Sequence, residues 1–161
     1  MILEAGGNEL APEIRVAADR YVEGDVLLIA VLTLSIPSYL HLAYFQADGS
    51  VVNLMQSSPQ NLRTLQPSTL VRMGDGQNGR PTFRIGGPFG PEMLLAITSK
   101  SPLFESSRPQ VETEREFLTA LRAATIDLEK QGFSRFLSAD DQPIETNARG
   151  KTDWMPEEYT K

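Results

Sequence analysis

The order of the predicted segments constrains the fold more than any other feature of the sequence. Six or seven short, apolar, strand-like segments separated by turn signals come before a single segment with helical periodicity. Strands that alternate with helices would indicate a parallel sheet, whereas strands in succession are typical of an antiparallel sandwich. The sequence therefore predicts a mainly β chain, an immunoglobulin-like antiparallel β-sandwich with one C-terminal amphipathic helix.

Two of the expected strands have a distinctive burial pattern. VLLIAVLTL, residues 26–34, is continuously apolar but shorter than the roughly 20 residues that cross a bilayer. It is predicted to be a strand buried on both faces. In YLHLAYF, residues 39–45, two sets of side chains alternate, which predicts a strand with one face on the core. One set is Leu40, Leu42 and Tyr44, and the other is Tyr39, His41, Ala43 and Phe45. The full set of expected strands covers 13–19, 26–35, 38–46, 51–55, 70–73, 82–85 and 93–99.

A hairpin signal lies between the strands predicted at 38–46 and 51–55. Asp48 and Gly49 are flanked by strand-forming residues. Asp-Gly in this context is typical of a two-residue type I′ turn, because both central residues of that turn need a positive φ. The sequence therefore predicts a tight hairpin with Asp48 and Gly49 as its turn residues.

The helix signal covers residues 113–131. Thr113 and Glu116 have the spacing of a capping box, apolar residues recur at helical spacing, and Gly132 stands where a C-terminal cap belongs. The apolar stripe of this helix is expected to pack on the sandwich or, alternatively, on a neighbouring domain.

The chain is expected to hold one domain and a tail. Residues 1–137 are predicted to form a single β-sandwich domain that includes the helix, and FSRFLSA, residues 133–139, could add a final strand. Residues 138–161 are polar with scattered apolar side chains. They are predicted to be a C-terminal tail that is extended or partly disordered.

Composition excludes several classes of function. The 161 residues include 15 basic and 21 acidic ones, for a net charge of -6, and no Lys/Arg-rich run occurs, so nucleic acid and anionic lipid are not expected partners. The absence of cysteine excludes disulfides and thiolate chemistry. No signal peptide is predicted at the start of this chain, which could be a mature form or an excised domain. No membrane span is predicted, and the oligomeric state is not indicated.

The sequence offers no convincing catalytic group. His41 is the single histidine, and its place within an apolar strand favours a structural role. Asp140 and Asp141 are adjacent and are expected to lie in a solvated turn. No catalytic, cofactor-binding or metal-binding residue is therefore predicted, no cofactor is expected, and the chain is not expected to be an enzyme.

The glycine-rich stretch GGPFGPEM, residues 86–93, raises the question of a phosphate-binding loop. It matches neither the Walker pattern nor the dinucleotide pattern, its prolines lack backbone donors, and a strand follows it. Pro88, Phe89, Gly90 and Glu92 are instead predicted to form a structural or interaction loop. Glu92 is expected to cap backbone amides or to pair with an arginine such as Arg72 or Arg84, and a ligand contact is the alternative.

Two stretches, SYLHLAYFQADGSVVNLM and GGPFGPEMLLAITSKSPLF, resemble a bacterial family known as domain of unknown function four thousand three hundred and eighty-four. The resemblance covers about residues 12 to 104, and Pro59 and Asn61 depart from the family's proline-asparagine pair. It implies an accessory module appended to caspase-like peptidases or serine/threonine kinases, in a periplasmic or extracellular setting, and it implies no catalytic residue. The matching positions are Tyr39, Leu40, Asp48, Gly49, Leu54, Pro88, Phe89, Gly90, Glu92, Ser101, Pro102 and Leu103.

Two hypotheses about function remain open. The first is a non-catalytic interaction or regulatory module that contacts a protein partner or a neighbouring domain of the same polypeptide. The second is a small-ligand or glycan-binding domain that uses Tyr39, Tyr44 or Trp154 as stacking platforms. A flat apolar strip would favour the first hypothesis, and a concave aromatic patch would favour the second.

Overall fold

The fold is known from a computed structural model, which describes residues 12–32, 39–56, 70–77, 79–132 and 137–149. Nine strands and one helix occur in these ranges. In chain order they are β1 (Glu13–Val16), β2 (Arg20–Val22), β3 (Ile29–Leu32), β4 (Tyr39–Phe45), β5 (Ser50–Met55), β6 (Leu70–Met73), β7 (Gly90–Ser99), β8 (Val111–Thr113), α1 (Glu114–Lys130) and β9 (Leu137–Asn147).

The strands form two sheets. The small sheet has three antiparallel strands in the order β1-β3-β6, and the large sheet has six strands in the order β2-β9-β7-β4-β5-β8. Every pairing in the large sheet is antiparallel except that of β2 with β9. The predicted mainly β chain with antiparallel sheets and one helix is confirmed.

The large sheet is the middle of three layers. One of its faces packs against the small sheet, and the other packs against α1. The core between the two sheets consists of Ile14, Tyr21, Leu27, Ile29, Val31, Leu40, Leu42, Met73, Ile85, Leu94, Ala96 and Ile144. The core beneath the helix consists of Ala43, Phe45, Val51, Leu95, Ile97, Leu103, Phe104, Phe117, Leu121, Ala124, Leu128 and Leu137.

This layering corrects the expectation that β4 has one face on the core. Leu40 and Leu42 face the small sheet, whereas Ala43 and Phe45 face the helix, and all four are buried. A strand in the middle layer buries both faces because each face has a layer of its own to cover it.

The opposite correction applies to the apolar stretch at 26–34, which was expected to be buried on both faces. Within its described part, Ile29 and Val31 point into the core, but Val26 and Leu28 are exposed. The stretch contains β3 of the small sheet, and among the described residues only one face of that sheet lies against another layer. Residues 33–38, at the end of the predicted strand, lie outside the described residues.

The helix agrees closely with its sequence signals. Thr113 accepts a hydrogen bond from the amide of Glu116, and the Glu116 side chain accepts one in return from the amide of Thr113, which completes the capping box. At the other end Gly132 adopts a φ of 80°, which suits glycine at this cap position. Of the two alternatives for its apolar stripe, the structure shows α1 packed on the large sheet.

The expected tail is wrong for residues 138–147. These residues belong to β9, which lies between β2 and β7 and pairs with β7 along ten residues of that strand. A ladder is made by backbone groups, so a polar sequence can occupy it when alternate side chains such as Ile144 face the core. The amide of Glu145 points away from β7 and donates to the carbonyl of Asp19. The nitrogen of Pro143, two residues earlier, points the same way, so its missing hydrogen costs no bond to β7.

Other expectations are met only in part. The strand predicted at 82–85 is reduced to isolated bridges. Thr82 pairs with both Gly74 and Asp75, and Arg84 pairs with Val26. The final strand expected at 133–139 begins at Leu137, and residues 133–136 lie outside the described ranges. Pro59, Asn61 and residues 150–161 of the expected tail also lie outside them.

Candidate functional site

Glu92, which was predicted to lie in a loop, is near the start of β7 and is held by hydrogen bonds within the fold. Glu92 is buried, and its carboxylate accepts hydrogen bonds from the hydroxyl of Tyr44 and, at 3.0 Å, from the amide of Ala47. Burial and the adjacent Glu92 raise the pKa of Tyr44 well above its usual value, which keeps the hydroxyl protonated as a donor. No arginine is among the hydrogen-bond partners of Glu92 that the structure describes. Arg84 instead donates to the carbonyl of Gly24 at 3.1 Å.

The other residues of this loop are positioned by packing. Pro88 is exposed and follows a cis peptide bond, whereas Phe89 is half-buried and packs against the core between the sheets. Gly90 has a φ of 143°, and a Cβ there would lie 3.3 Å from the Cβ of Ala47. The loop therefore delivers the chain into β7, and Phe89 is not presented at its tip.

The hairpin between β4 and β5 differs in detail from the predicted two-residue turn. The Gln46 amide donates to the Ser50 carbonyl at 2.8 Å, and the Gly49 amide donates to the Gln46 carbonyl at 3.1 Å. These bonds define a three-residue loop in which Gly49, with a φ of 87°, follows a tight turn. Asp48 accepts from the amide and hydroxyl of Ser50, and the hydroxyl contact is the main cause of its lowered pKa.

The two predicted loops meet at one end of the large sheet. The amide of Ala47 in the hairpin donates to Glu92 near the start of β7, and the carbonyl of Gly49 accepts a hydrogen bond of 2.8 Å from the amide of Glu114 at the start of α1. These contacts join the hairpin, the loop and the helix. They occupy the polar groups that a ligand would otherwise use.

A buried polar network surrounds His41. Its Nε2 lies 2.8 Å from Oδ1 of Asn53, and its ring contacts Phe104 and Phe117. The Asn53 amide group donates to Glu112 at 2.7 Å. Burial lowers the pKa of His41 to about 4, although the hydrogen bond with Asn53 opposes this shift. His41 is therefore neutral near pH 7.

The network continues to the segment that precedes β8. Arg108 forms an ion pair with Glu112, lies 5.8 Å from the ring centre of Phe104, and exchanges two hydrogen bonds of 2.9 Å with Gln56. No buried side-chain nitrogen or oxygen in the described ranges lacks a partner. The network thus ties the connection after β7 to the large sheet and leaves no orphaned group aimed at a cavity.

The aromatic residues considered as a stacking platform are not brought together. Tyr39 and Tyr44 lie towards opposite ends of β4, about 17 Å apart at strand spacing, and they face opposite sides of the sheet because successive side chains of a strand alternate between its faces. The hydroxyl of Tyr44 is bonded to Glu92. Trp154 lies outside the described residues.

A different surface is the best candidate for a functional site. The outer face of the small sheet, which points away from the large sheet, carries apolar side chains beside arginines. Leu28 and Leu70 are 45% and 47% exposed, and no layer covers this face among the residues that the structure describes. We define the outer face by Glu13, Arg15, Ala30, Leu32, Leu70 and Arg72, which share one side of the sheet by their register, together with Leu28, which immediately precedes β3.

Sequence reasoning missed the outer face because a continuous apolar run does not reveal which half of its side chains is covered. The available signal was in the flanking strands. EIRV and LVRM each place an arginine among apolar residues, and Arg15 and Arg72 both prove to be exposed. That pattern indicates a sheet with one solvent-facing side.

The layers and the outer face define a small β-sandwich module with an appended helix. The family model described as Domain of unknown function (DUF4384) matches residues 20–102, from β2 to just beyond β7. This match covers just over half of the chain, and the chain belongs to that family. Neither the curated proteins nor the solved structures contain a match to the chain.

The described residues form neither a metal-binding cluster nor a membrane-spanning helix. Within the ranges given above, no group of three or more histidine, aspartate and glutamate side chains has the arrangement of a metal site. The one helix in those ranges, α1, is not long and apolar enough to cross a membrane.

Proposed function

We propose that this chain is a non-catalytic accessory module that binds a protein partner, or a neighbouring domain of the same polypeptide, through the outer face. The observation that carries the proposal is the exposure of Leu28 and Leu70 on the outer face. Exposed apolar side chains grouped on one rigid surface are typical of interaction sites. Burying them against a partner would release the water that now contacts them.

The extent of the surface, which spans three strands, supports a macromolecular partner over a small ligand. The outer face is formed by three paired strands, and its side chains stand in rows across them. Small-molecule sites are concave and enclose most of the ligand. The glycan-binding alternative lacks support because Tyr39 and Tyr44 are not on a common surface.

The non-catalytic part of the proposal is supported by the state of the polar groups. His41 is buried and bonded to Asn53, and Glu92 is bonded to Tyr44 and Ala47. A general base must reach the proton that it abstracts. The further proposal that the module belongs to a larger exported or envelope-associated bacterial protein is supported by the resemblance to the family.

Site-specific photocrosslinking in the bacterial host tests the proposal. A photoreactive amino acid is placed at Leu28, and in a matched control at Ile126, which is similarly exposed but lies on α1. We expect a discrete crosslinked protein, or a specific intramolecular crosslink, from position 28 that is weakened by Leu70→Asp. Identical products from both positions, or no product from position 28, would contradict the proposed site.

A further inference from the structure

The centre of the outer face is a row of two arginines separated by an alanine. In the antiparallel register Arg15 lies opposite Ala30, and Ala30 lies opposite Arg72. Directly opposite residues project on the same side of a sheet, and neighbouring strands are about 4.8 Å apart. The two guanidinium groups therefore stand on either side of a small side chain, which leaves a depression between them.

Apolar side chains lie on both sides of this row. Leu28 immediately precedes β3 and is two residues before Ala30, and Leu32 is two residues after Ala30, opposite Leu70 on β6. Positions two residues apart on one face of a strand are separated by about 6.6 Å. The outer face thus presents Leu28, then the arginine row, then a row in which Leu32 lies between Glu13 and Leu70, at the repeat of an extended chain.

The structure also shows space beside the arginine row. A cavity of about 230 Å³ is lined by Arg15, Arg72, Leu28, Ala30 and Asp75, together with neighbouring residues. The carboxylate of Asp75 is already paired with Arg80 at 3.0 Å. It therefore competes weakly for Arg72.

Glu13 is the remaining acidic group on the outer face. Its carboxylate bonds Arg15 at 2.5 Å, and both side chains are exposed to solvent. An exposed ion pair of this kind contributes little to stability, so an incoming carboxylate can share or replace it. Glu13 therefore acts as a local competitor for an acidic ligand.

Taken with the proposed function, on which this step rests, the geometry points to the chemistry of the partner. We infer that the outer face binds an extended segment of a protein partner in which an acidic residue is flanked, two positions away on each side, by apolar residues. The carboxylate lies over Ala30 between Arg15 and Arg72, and the apolar side chains contact Leu28 on one side and Leu32 with Leu70 on the other. Alternate side chains of an extended peptide have the spacing that these rows require.

Titration calorimetry with the full chain and three blocked synthetic peptides tests the inference. Each peptide has about seven residues and alternates threonine with three recognition residues, as an extended segment requires. The first carries leucine, glutamate and valine in that order, the second replaces glutamate by glutamine, and the third replaces both apolar residues by serine. We expect the first peptide to bind at least about tenfold more tightly than either of the others, because a charge-assisted contact and apolar burial are both needed.

Variants of the chain assign the preference to the two arginines. Arg72→Gln and Arg15→Gln should each remove most of the preference for glutamate, whereas the control Arg122→Gln, on an exposed position of α1, should leave it unchanged. Glu13→Gln should strengthen binding of the first peptide by roughly threefold because it removes the competing carboxylate. Thermal melting confirms that each variant is folded.

The outcomes separate this inference from the proposed function. Equal binding of the glutamate and glutamine peptides, lost in Leu28→Asp, would overturn the inference and leave the outer face as an interaction site. Failure of all three peptides to bind also overturns the inference, and the crosslinking from position 28 then decides the proposed function separately. Sedimentation that shows self-association abolished by Leu28→Asp would identify a second copy as the occupant and would likewise overturn the inference.

Discussion

The faces of the two sheets that point away from each other have similar sequence patterns, but one is buried and the other is exposed. On the large sheet, Ala43 and Phe45 of β4 alternate with side chains of the inner core, and α1 covers them completely. On the small sheet, Leu28 and Leu32 alternate with inner residues in the same way, but Leu28 remains 45% exposed. Apolar alternation therefore indicates a sheet, whereas the presence of a covering layer decides whether the second face is core or surface.

The difference between the faces predicts a large difference in the cost of truncation. Phe117 is the central covered side chain, fully buried, with its ring 5.5 Å from Phe45 and 5.8 Å from His41. Phe117→Ala should lower the free energy of unfolding by about 3–5 kcal/mol, because it removes buried surface and leaves a cavity. Urea denaturation measures the loss. A loss below about 1 kcal/mol would contradict the burial of this face.

Acid should weaken the covered face specifically. Burial lowers the pKa of folded His41 to about 4, whereas the unfolded chain takes up this proton near pH 6.5. Stability is therefore full above about pH 6.5 and falls as the pH falls towards 4, by about 3 kcal/mol in total. Denaturation at a series of pH values tests this.

The control for the pH series is His41→Gln, which removes the titrating group. In this variant the slope between pH 6.5 and 4 should largely disappear, although its stability at pH 7 is expected to be lower because the packing against Phe104 and Phe117 changes. Because the pKa values of Asp48, Asp75 and Glu116 are lowered, the stability that they contribute is lost only as the pH falls through and below their ordinary values of 3.8 and 4.5, at the acidic end of the series. An unchanged slope in the variant would show that other groups cause the acid sensitivity.

The comparison also shows which features could be predicted from sequence. The helix limits were accessible because Thr113, Glu116 and Gly132 act through local backbone hydrogen bonds and conformation. The place of β9 was not accessible, because its pairing with β7 depends on backbone contacts between residues distant in sequence. DDQPIET reads as a tail when judged by its side chains alone, yet Ile144 and Thr146 are buried in the sheet.

The contacts of the candidate site also depend on residues that are distant in sequence. The sequence predicts that Glu92 caps backbone amides of its own loop or pairs with an arginine, whereas in the structure it accepts from the amide of Ala47 in the hairpin and from Tyr44. Both contacts depend on the pairing of β4 with β7, which places Tyr44 opposite Leu94. The outer face depends on which layer lies over β3. No local signal in residues 26–32 carries that information.

The hairpin links the covered face to the helix. A substitution at its turn is expected to cause an intermediate loss of stability. Gly49 has a φ of 87°, its carbonyl accepts from Glu114 at the helix start, and a Cβ added to it would meet no atom within 4 Å. Gly49→Val should therefore cost about 1–2 kcal/mol through backbone strain alone. Gly86→Val is the matched control, since Gly86 also has open space but no positive φ. Equal melting temperatures for the two variants would contradict the turn geometry.

A substitution on the outer face is expected to cause the smallest change in the free energy of unfolding. Leu28→Thr shortens an exposed apolar side chain while keeping a residue that favours strands. Because the side chain is already in contact with water, we expect the free energy of unfolding of the isolated chain to change by no more than about 0.5 kcal/mol. The same substitution should weaken crosslinking to the partner from position 70, where the photoreactive residue then replaces Leu70. Urea denaturation and crosslink yield, measured on matched preparations, separate the two effects. If the substitution instead destabilises the chain by about 2 kcal/mol or more, Leu28 contributes to the core in solution, and the outer face is covered by the chain itself and not by a partner.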